Sequence, residues 1–275
     1  MLFASTALGA RIERAEGSLI SDSARAIARN RGAEVFVQPI AGGVAVLTEE
    51  ESPLNKLVGL GFDGPVDEAE LELVERTFAA RGAALRAEVA CLAEPSVCEL
   101  LTRRGYALIG FENVLGRALP AEHLPAIPAG IEITPGGPDD FAAWLDVVVT
   151  GFATPDTQGV PSHESYPREV IERVVGDMAT AEGFVRYLAR RAGSPVGGAS
   201  MRLHAGVAQL CGAATLPAHR RRGVQGAFLA RRLAEASAAG CDVAVMTTQP
   251  GSKSQENGQR KGFELLYARA ILERA

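Results

Sequence analysis

Between Ala213 and Ala227 an apolar strand runs into Pro217-Ala218-His219-Arg220-Arg221-Arg222-Gly223-Val224-Gln225-Gly226, where arginines and glycines open a helix. Residues of these types at such a place bind anions. Small residues let the backbone approach a ligand closely, the first helical turn offers N–H groups without partners inside the helix, and the helix dipole adds partial positive charge. The arginines add full charges, so the chemistry read from the segment is the grip of a pyrophosphate. A charged helix cap with no ligand would leave the same short pattern. A nucleoside-triphosphate loop needs Gly, four residues and Gly-Lys-Ser/Thr, and a dinucleotide fold needs Gly-x-Gly-x-x-Gly after a strand; the segment has neither.

The helix after Gly223 is patterned to carry that loop. Leu229, Leu233 and Ala236 recur at helical spacing beside Phe228, Arg231, Arg232 and Glu235 are expected to face water, and Gly240 marks the stop. Cys241–Thr247 follows as a short apolar run that reads as a buried strand. Upstream, Phe184–Leu188, Val196–Leu203 and Val207–Ala213 read as a meander of strands leading into the loop. Ile131–Thr134 reads as an earlier strand, and a helix starts near Pro138 with Phe141, Trp144 and Leu145 on one face. A second helix ends near Met178, and between the two lies a polar stretch from Thr154 to Pro167.

This order of elements resembles the GNAT superfamily of acyl-CoA-dependent N-acetyltransferases, whose signature is Arg or Gln, two residues, Gly, one residue, then Gly or Ala. Arg220, Gly223 and Gln225 occupy those three positions, with Gly226 one step late. Ser252–Phe263, followed by Glu264–Leu272, resembles the family's closing element, a helix with an Asn near the cofactor that ends in Gly-Phe before a last strand. Asn257 takes the Asn position and Gly262-Phe263 the ending.

The resemblance implies acetyl-CoA or another acyl-CoA as co-substrate, no metal, and direct acyl transfer to a small primary amine. It assigns cofactor binding to Ala213, Ala214, Thr215, Arg220, Arg221, Arg222, Gly223, Val224, Gln225, Gly226 and Asn257. The usual acid and base are missing. The position of the family's Tyr is Gly258, and the position of its Glu is Gln209. His163 and Glu164, in the stretch that shapes the acceptor pocket in the family, and Tyr267 are the remaining catalytic candidates, with Tyr166, His204 and the terminal carboxylate of Ala275 beside them. Each of these also reads as an ordinary loop or packing residue.

The last segment has an echo in the first half. Glu99, Arg103, Gly105, Leu108, Leu115, Arg117 and Ala118 match Glu256, Arg260, Gly262, Leu265, Leu272, Arg274 and Ala275 in one gapless register, with Tyr106 against Phe263. The same register lays Asp67–Ala80 on the helix after Gly223 and Leu85–Leu92 roughly on Cys241–Thr248. Opposite Arg222-Gly223, however, stands Pro65-Val66, followed by Asp67, Glu68 and Glu70. Acidic residues suit a bare helix N-terminus and repel phosphate. The expected class is therefore α/β (α+β), two GNAT-like lobes, each a mixed, mainly antiparallel sheet flanked by helices. Residues 1–120 form a degenerate lobe without a cofactor loop, 121–130 a Pro-rich linker, and 131–275 the acyl-CoA-binding domain. Two other readings stay open: a non-catalytic CoA-binding or sensor protein, and a tandem enzyme of the mycothiol-synthase type, against which the missing arginines near Pro65 argue.

Composition sets the outer bounds. In 275 residues with 47% hydrophobic content there is material for one large core or two modest ones, and no run is long and apolar enough to span a membrane. The opening residues lack a basic start, so no signal peptide is expected, and Cys91, Cys98, Cys211 and Cys241 lack metal-ligand spacing and read as reduced core thiols of a cytoplasmic protein. A net charge of -5 argues against nucleic acid. The expected partners are a CoA thioester and a small amine, neither nucleic acid nor membrane, with a homodimer through exposed sheet edges left open.

Overall fold

A computed structural model describes residues 2–120, 126–154, 160 and 166–274. The chain forms two compact units, Phe3–Asn113 together with Tyr267–Ala275, and Val114–Leu266 together with Met1–Leu2. The sequence reading divides the chain at 121–130; the compact units instead divide two long strands, and 121–125 lie outside the described residues.

The N-terminal unit opens with a helix that the sequence reading did not assign, α1 (Thr6–Arg31). Ser5 caps it by accepting from Leu8 N–H, and Gly32 ends it in the left-handed region at φ +65°. Its buried stripe carries Ile12, Ala15, Leu19, Ile20, Ala24 and Ile27, the spacing of an amphipathic helix. Next come β1 (Phe36–Ile40), β2 (Gly43–Leu47), β3 (Lys56–Val58), α2 (Glu68–Ala80), β4 (Leu85–Ala90), α3 (Ser96–Arg103) and the start of β5 (Ala107–Ala118), as far as Asn113. β2 pairs antiparallel with β1 and β3, and β3 pairs parallel with β4. Leu57, Leu71, Val74, Phe78, Ala87 and Leu101 are part of the core that α2 and α3 close over these strands.

The C-terminal unit contains β6 (Glu132–Pro135), α4 (Phe141–Ala153), α5 (Arg168–Met178), β7 (Phe184–Arg191), β8 (Ser194–His204), β9 (Val207–Gln209), β10 (Ala213–Thr215), α6 (Val224–Ala238), β11 (Val243–Thr248), α7 (Lys253–Gln259) and the start of β12 (Glu264–Arg274). Its strands run in the order β11-β9-β8-β7-β6, with β10 on β8. The remainder of β12 pairs antiparallel with β4, from Arg269↔Ala90 to Arg274↔Leu85, and so belongs to the N-terminal unit.

Two adjacent glycines in β8 bring helices onto both faces of this sheet. A Cβ on Gly197 would lie 2.9 Å from Val224 and 3.0 Å from Phe228 of α6, and one on Gly198 would lie 2.5 Å from Val148 of α4. Only bare backbone admits both helices. Trp144 then reaches across β8 and donates its indole N–H to Ala199 O at 3.1 Å.

Three sequence expectations are corrected. Val207–Ala213 is two strands, β9 and β10, interrupted at residues 210–212, because the segment changes partners there. Arg232 does not face water but is 1% exposed. Only Cys241 is a buried thiol: Cys91 and Cys98 are exposed and Cys211 is intermediate, all four being free. Among the described residues no helix is long and apolar enough to cross a membrane.

Candidate functional site

The site is a place where two neighbouring strands part. β9 lies between β8 and β11, antiparallel to the first and parallel to the second, with Val207↔Val243 through Gln209↔Val245 in register. Leu210 donates to Val245 O at 2.8 Å, and there the bonding to β11 ends. β10 pairs with β8 alone. A gap therefore opens between β10 and β11 at the C-terminal end of a parallel pair, which in α/β sheets is where ligands enter.

The turn between β9 and β10 is a bulge. Gly212 sits at φ +42°, a left-handed backbone that favours glycine. Ser200 N–H donates to both Cys211 O, at 3.1 Å, and Gly212 O, at 3.0 Å, and Leu216 N–H donates to Val196 O at 3.0 Å. Antiparallel pairs alternate between bonded and non-bonded. With 212 and 216 bonded to β8, the amides of Ala213 and Thr215 are directed to the other side, toward the gap. Gly212 is a site residue beyond those expected from the sequence, where a lone glycine inside a strand pattern is its signal.

The arginine loop follows directly. Arg221 and Gly223 adopt positive φ, +60° and +85°, which turns the chain sharply into α6. Arg220 faces carbonyl groups: its guanidinium donates to Thr215 O at 3.2 Å, to Gly151 O at 3.5 Å and to Thr154 O. It ties the end of β10 to the end of α4. Arg221, Arg222 and Gly223 are exposed. α6 has no side-chain cap and no acid in its first turn, and its first backbone bond runs from Ala227 N–H to Gly223 O at 3.0 Å. The amides of Val224, Gln225 and Gly226 are thus the donors of an open helix N-terminus.

Lys261 joins this charge, a residue the sequence reading did not single out. A Cβ on Gly226 would lie 3.5 Å from Lys261 Cε and 3.8 Å from its Nζ. Absence of a side chain at Gly226 therefore leaves both the helix amides and the ammonium accessible. Asn257, on α7, is half-buried, and among the described residues its amide has no hydrogen-bond partner.

The catalytic candidates are not brought to this loop as a set. His163 and Glu164 lie outside the described residues, as does Ala275. Tyr166 and His204 are half-buried, and His219 encloses its Nδ1 without a partner. Tyr267 belongs to the N-terminal unit, where its hydroxyl donates to Glu13 Oε1 at 2.6 Å. At Gly258 a Cβ would lie 2.9 Å from Met246 Sδ and 3.2 Å from Leu115 Cδ1, so a side chain there, the family's tyrosine included, would require these neighbours to shift. Gln209 is buried and accepts from Arg202 Nη1 at 3.4 Å.

The N-terminal unit has the same parallel pair, β3 and β4, but treats it differently. Lys56↔Arg86 through Val58↔Glu88 are in register, and the chain then passes through glycines 59, 61 and 64 to α2 without a second short strand. Asp67 caps α2, its Oδ1 accepting from Ala69 N–H at 2.8 Å and Glu70 N–H at 3.1 Å, while Glu68 and Glu70 occupy the first turn. That terminus is already satisfied and negative.

Behind β3 and β4 lies a buried ion cluster. Glu13 of α1 accepts from Tyr267 and, at 2.9 Å, from Arg269 Nε; Arg269 also lies 3.7 Å from Glu88 and 3.4 Å from Glu112, and Lys56 pairs with Glu88. Burial, reinforced by Glu88, pushes the Glu112 carboxyl up to about 8 against the pull of Arg269 and Lys56. An unfolded Glu titrates near ~4.3, so between that pH and 8 the folded state holds a proton the unfolded chain has released, and Glu112 makes stability fall as pH rises. Glu112→Gln removes this slope. Urea melts should find the variant more stable than wild type at pH 8 by roughly 4–5 kcal/mol, with the gap narrowing to about 1 kcal/mol at pH 5. Parallel curves for the two proteins would contradict the assignment.

No protein-family profile matches the chain, and no curated protein sequence does. Solved structures do. A GCN5-related N-acetyltransferase from Kribbella flavida superposes with a TM-score of 0.63 at 20% identity, over 93% of this chain and 95% of that one. Another, from Sphaerobacter thermophilus, gives 0.59 at 14% identity over 98% and 93%. A tandem GNAT protein from the clavulanic acid biosynthesis pathway gives 0.60 at 13% identity over 94% and 95%. Shared over nearly the whole length of each chain, this architecture of mixed, mostly antiparallel sheets flanked by helices is the fold of the GCN5-related N-acetyltransferases.

Proposed function

We propose that the C-terminal unit binds acetyl-CoA, or another acyl-CoA, and transfers its acyl group to the amine of a small acceptor. The observation that carries this reading is the uncapped N-terminus of α6, flanked by Arg221, Arg222 and Lys261, beside the gap between β10 and β11. The three cations and the helix amides suit a diphosphate. The outward amides of Ala213 and Thr215 suit a pantetheine arm laid along β10 as a further strand. Arg220 holds the loop in shape through its carbonyl contacts.

Acetyl-CoA supplies an activated acyl group: the ammonium first releases one proton to solvent, the free amine nitrogen bonds to the thioester carbon, the carbon–sulfur bond breaks, and a second proton from that nitrogen ends on the departing thiolate. The amide of Gly212, released from the β8 ladder at the bulge, is placed to donate to the carbonyl oxygen as negative charge develops there. A thiol of pKa ~8.5 leaves readily, so the tyrosine whose place Gly258 takes is dispensable. The N-terminal unit, whose α2 terminus is capped by Asp67, serves as a lobe without cofactor.

Calorimetric titration with acetyl-CoA tests the reading. One molecule should bind per chain, not two, and thiol release should follow when a panel of primary amines is added. A protein that takes up no acetyl-CoA disproves the reading, and a stoichiometry of two disproves the assignment of the N-terminal lobe.

A further inference from the structure

Arg232 is mid-way along α6, where the helical pattern places a water-facing residue, yet it is buried. Its guanidinium bonds only to carbonyl groups: Ser200 O at 2.8 Å, Phe228 O at 3.3 Å and Cys211 O at 3.4 Å. Among the described residues no carboxylate pairs with it. Burial draws it down to about 10, so it remains charged at neutral pH. A buried cation without a counter-ion lowers stability unless another demand retains it.

That demand is visible in the ladder it interrupts. Ala213, Ala214 and Thr215 face Ala199, Gly198 and Gly197, and one further step puts Gly212 opposite Ser200. A bonded antiparallel pair exchanges two hydrogen bonds. Here Ser200 N–H donates to Gly212 O at 3.0 Å, but the return bond is absent, because Ser200 O is occupied by Arg232. Gly212 N–H has no acceptor among the described residues. The peptide is trans, so this N–H points opposite to the Cys211 carbonyl that Ser200 and Arg232 hold, and therefore away from β8.

We propose that Arg232 is a positioning residue for the thioester: by occupying the Ser200 carbonyl it keeps the Gly212 amide out of the β8 ladder and turned toward the gap, to meet the acyl carbonyl. Its charge also polarises the Cys211–Gly212 peptide, which makes that amide a better donor. The inference rests on the acyl-CoA reading above and adds a specific residue to it.

Arg232→Met tests it, with affinities measured for acetyl-CoA and for S-ethyl-CoA, a thioether that lacks the carbonyl. Wild type should prefer acetyl-CoA roughly five- to tenfold, the worth of one neutral amide–carbonyl hydrogen bond. In Arg232→Met the Gly212 amide closes onto Ser200 O, so the protein should fold and melt no lower than wild type. Its affinity for S-ethyl-CoA should be unchanged and its preference for acetyl-CoA gone. Arg232→Lys keeps a donor for Ser200 O and should restore the preference. An Arg232→Met protein that retains the preference, or that fails to fold, overturns the inference, as does a lysine variant without it. A wild type that binds neither compound instead overturns the acyl-CoA reading.

Discussion

Gly226→Asp should bind acetyl-CoA about 100-fold more weakly than wild type while melting no earlier. Two effects of one carboxylate are set against each other. In the first turn of α6 an acid faces the positive end of the helix dipole, worth ~0.3–1 kcal/mol of stability, and its Cβ would be in ordinary contact, 3.5 Å, with Lys261. For a diphosphate the same carboxylate is a like charge at the contact, which also draws away Lys261. Losing ~3 kcal/mol of favourable contact is about two decades of affinity. Calorimetry and a thermal melt on the same preparation separate the outcomes. Weak binding with a lowered melting temperature would show only damage to the fold, and undiminished binding would remove the phosphate from this helix.

The candidate phosphate loop is legible in the sequence because the chemistry it offers is local. Arg220 through Gly226 are contiguous, and glycines before an apolar helical pattern determine both the turn and the open amides. Lys261 was not legible, because it reaches Gly226 from the turn after α7, far along the chain. Arg232 was misread for a related reason. The pattern of α6 places it beside Arg231 and Glu235, and only the bulge in another strand, with carbonyl groups to offer, explains its burial. The bulge left only a faint mark: Val207–Ala213 is a mostly apolar run in which Gly212 is the one local sign, and its change of partner from β11 to β8 alone depends on residues far away in the chain. α1 went unassigned although its stripe is regular, because its alanines and serines carry a weaker apolar signal than leucines would.

The repeat read from the sequence also carries a physical contrast. Both units pair a short strand in parallel with the strand after the next helix, β3 with β4 and β9 with β11. In the C-terminal unit the chain then adds a bulge and β10, and enters α6 through positive charge. In the N-terminal unit it passes through glycines to an aspartate cap. On the reading proposed above, a lobe without cofactor needs no change of fold: the N-terminal unit lacks the second short strand and has acid where the C-terminal unit has arginine at the helix entrance.

The space behind the closed pair holds the charges on which the second large effect depends. Arg269→Met should destabilise the protein by ~3–5 kcal/mol, because it strands carboxylates from which water is excluded. Glu13 is 1% exposed and Glu88 is 4% exposed, and Arg269 reaches both as well as Glu112. Glu88, which burial alone would raise, is carried below the ordinary carboxyl range chiefly by Lys56 and Arg269 together, so the lost cation is felt there too. For a chain of this size the change is a fall of about 10 °C in melting temperature. Glu13→Gln in the same background should recover part of it, since the amide is neutral and its oxygen can still accept from Tyr267. That partial recovery separates an electrostatic cluster from simple packing. If the double variant is no more stable than Arg269→Met, the loss belongs to the missing side-chain volume. If it recovers, what holds the last strand against β4 is the matching of charge at Arg269, which explains why an arginine stands in a strand position otherwise suited to an apolar residue.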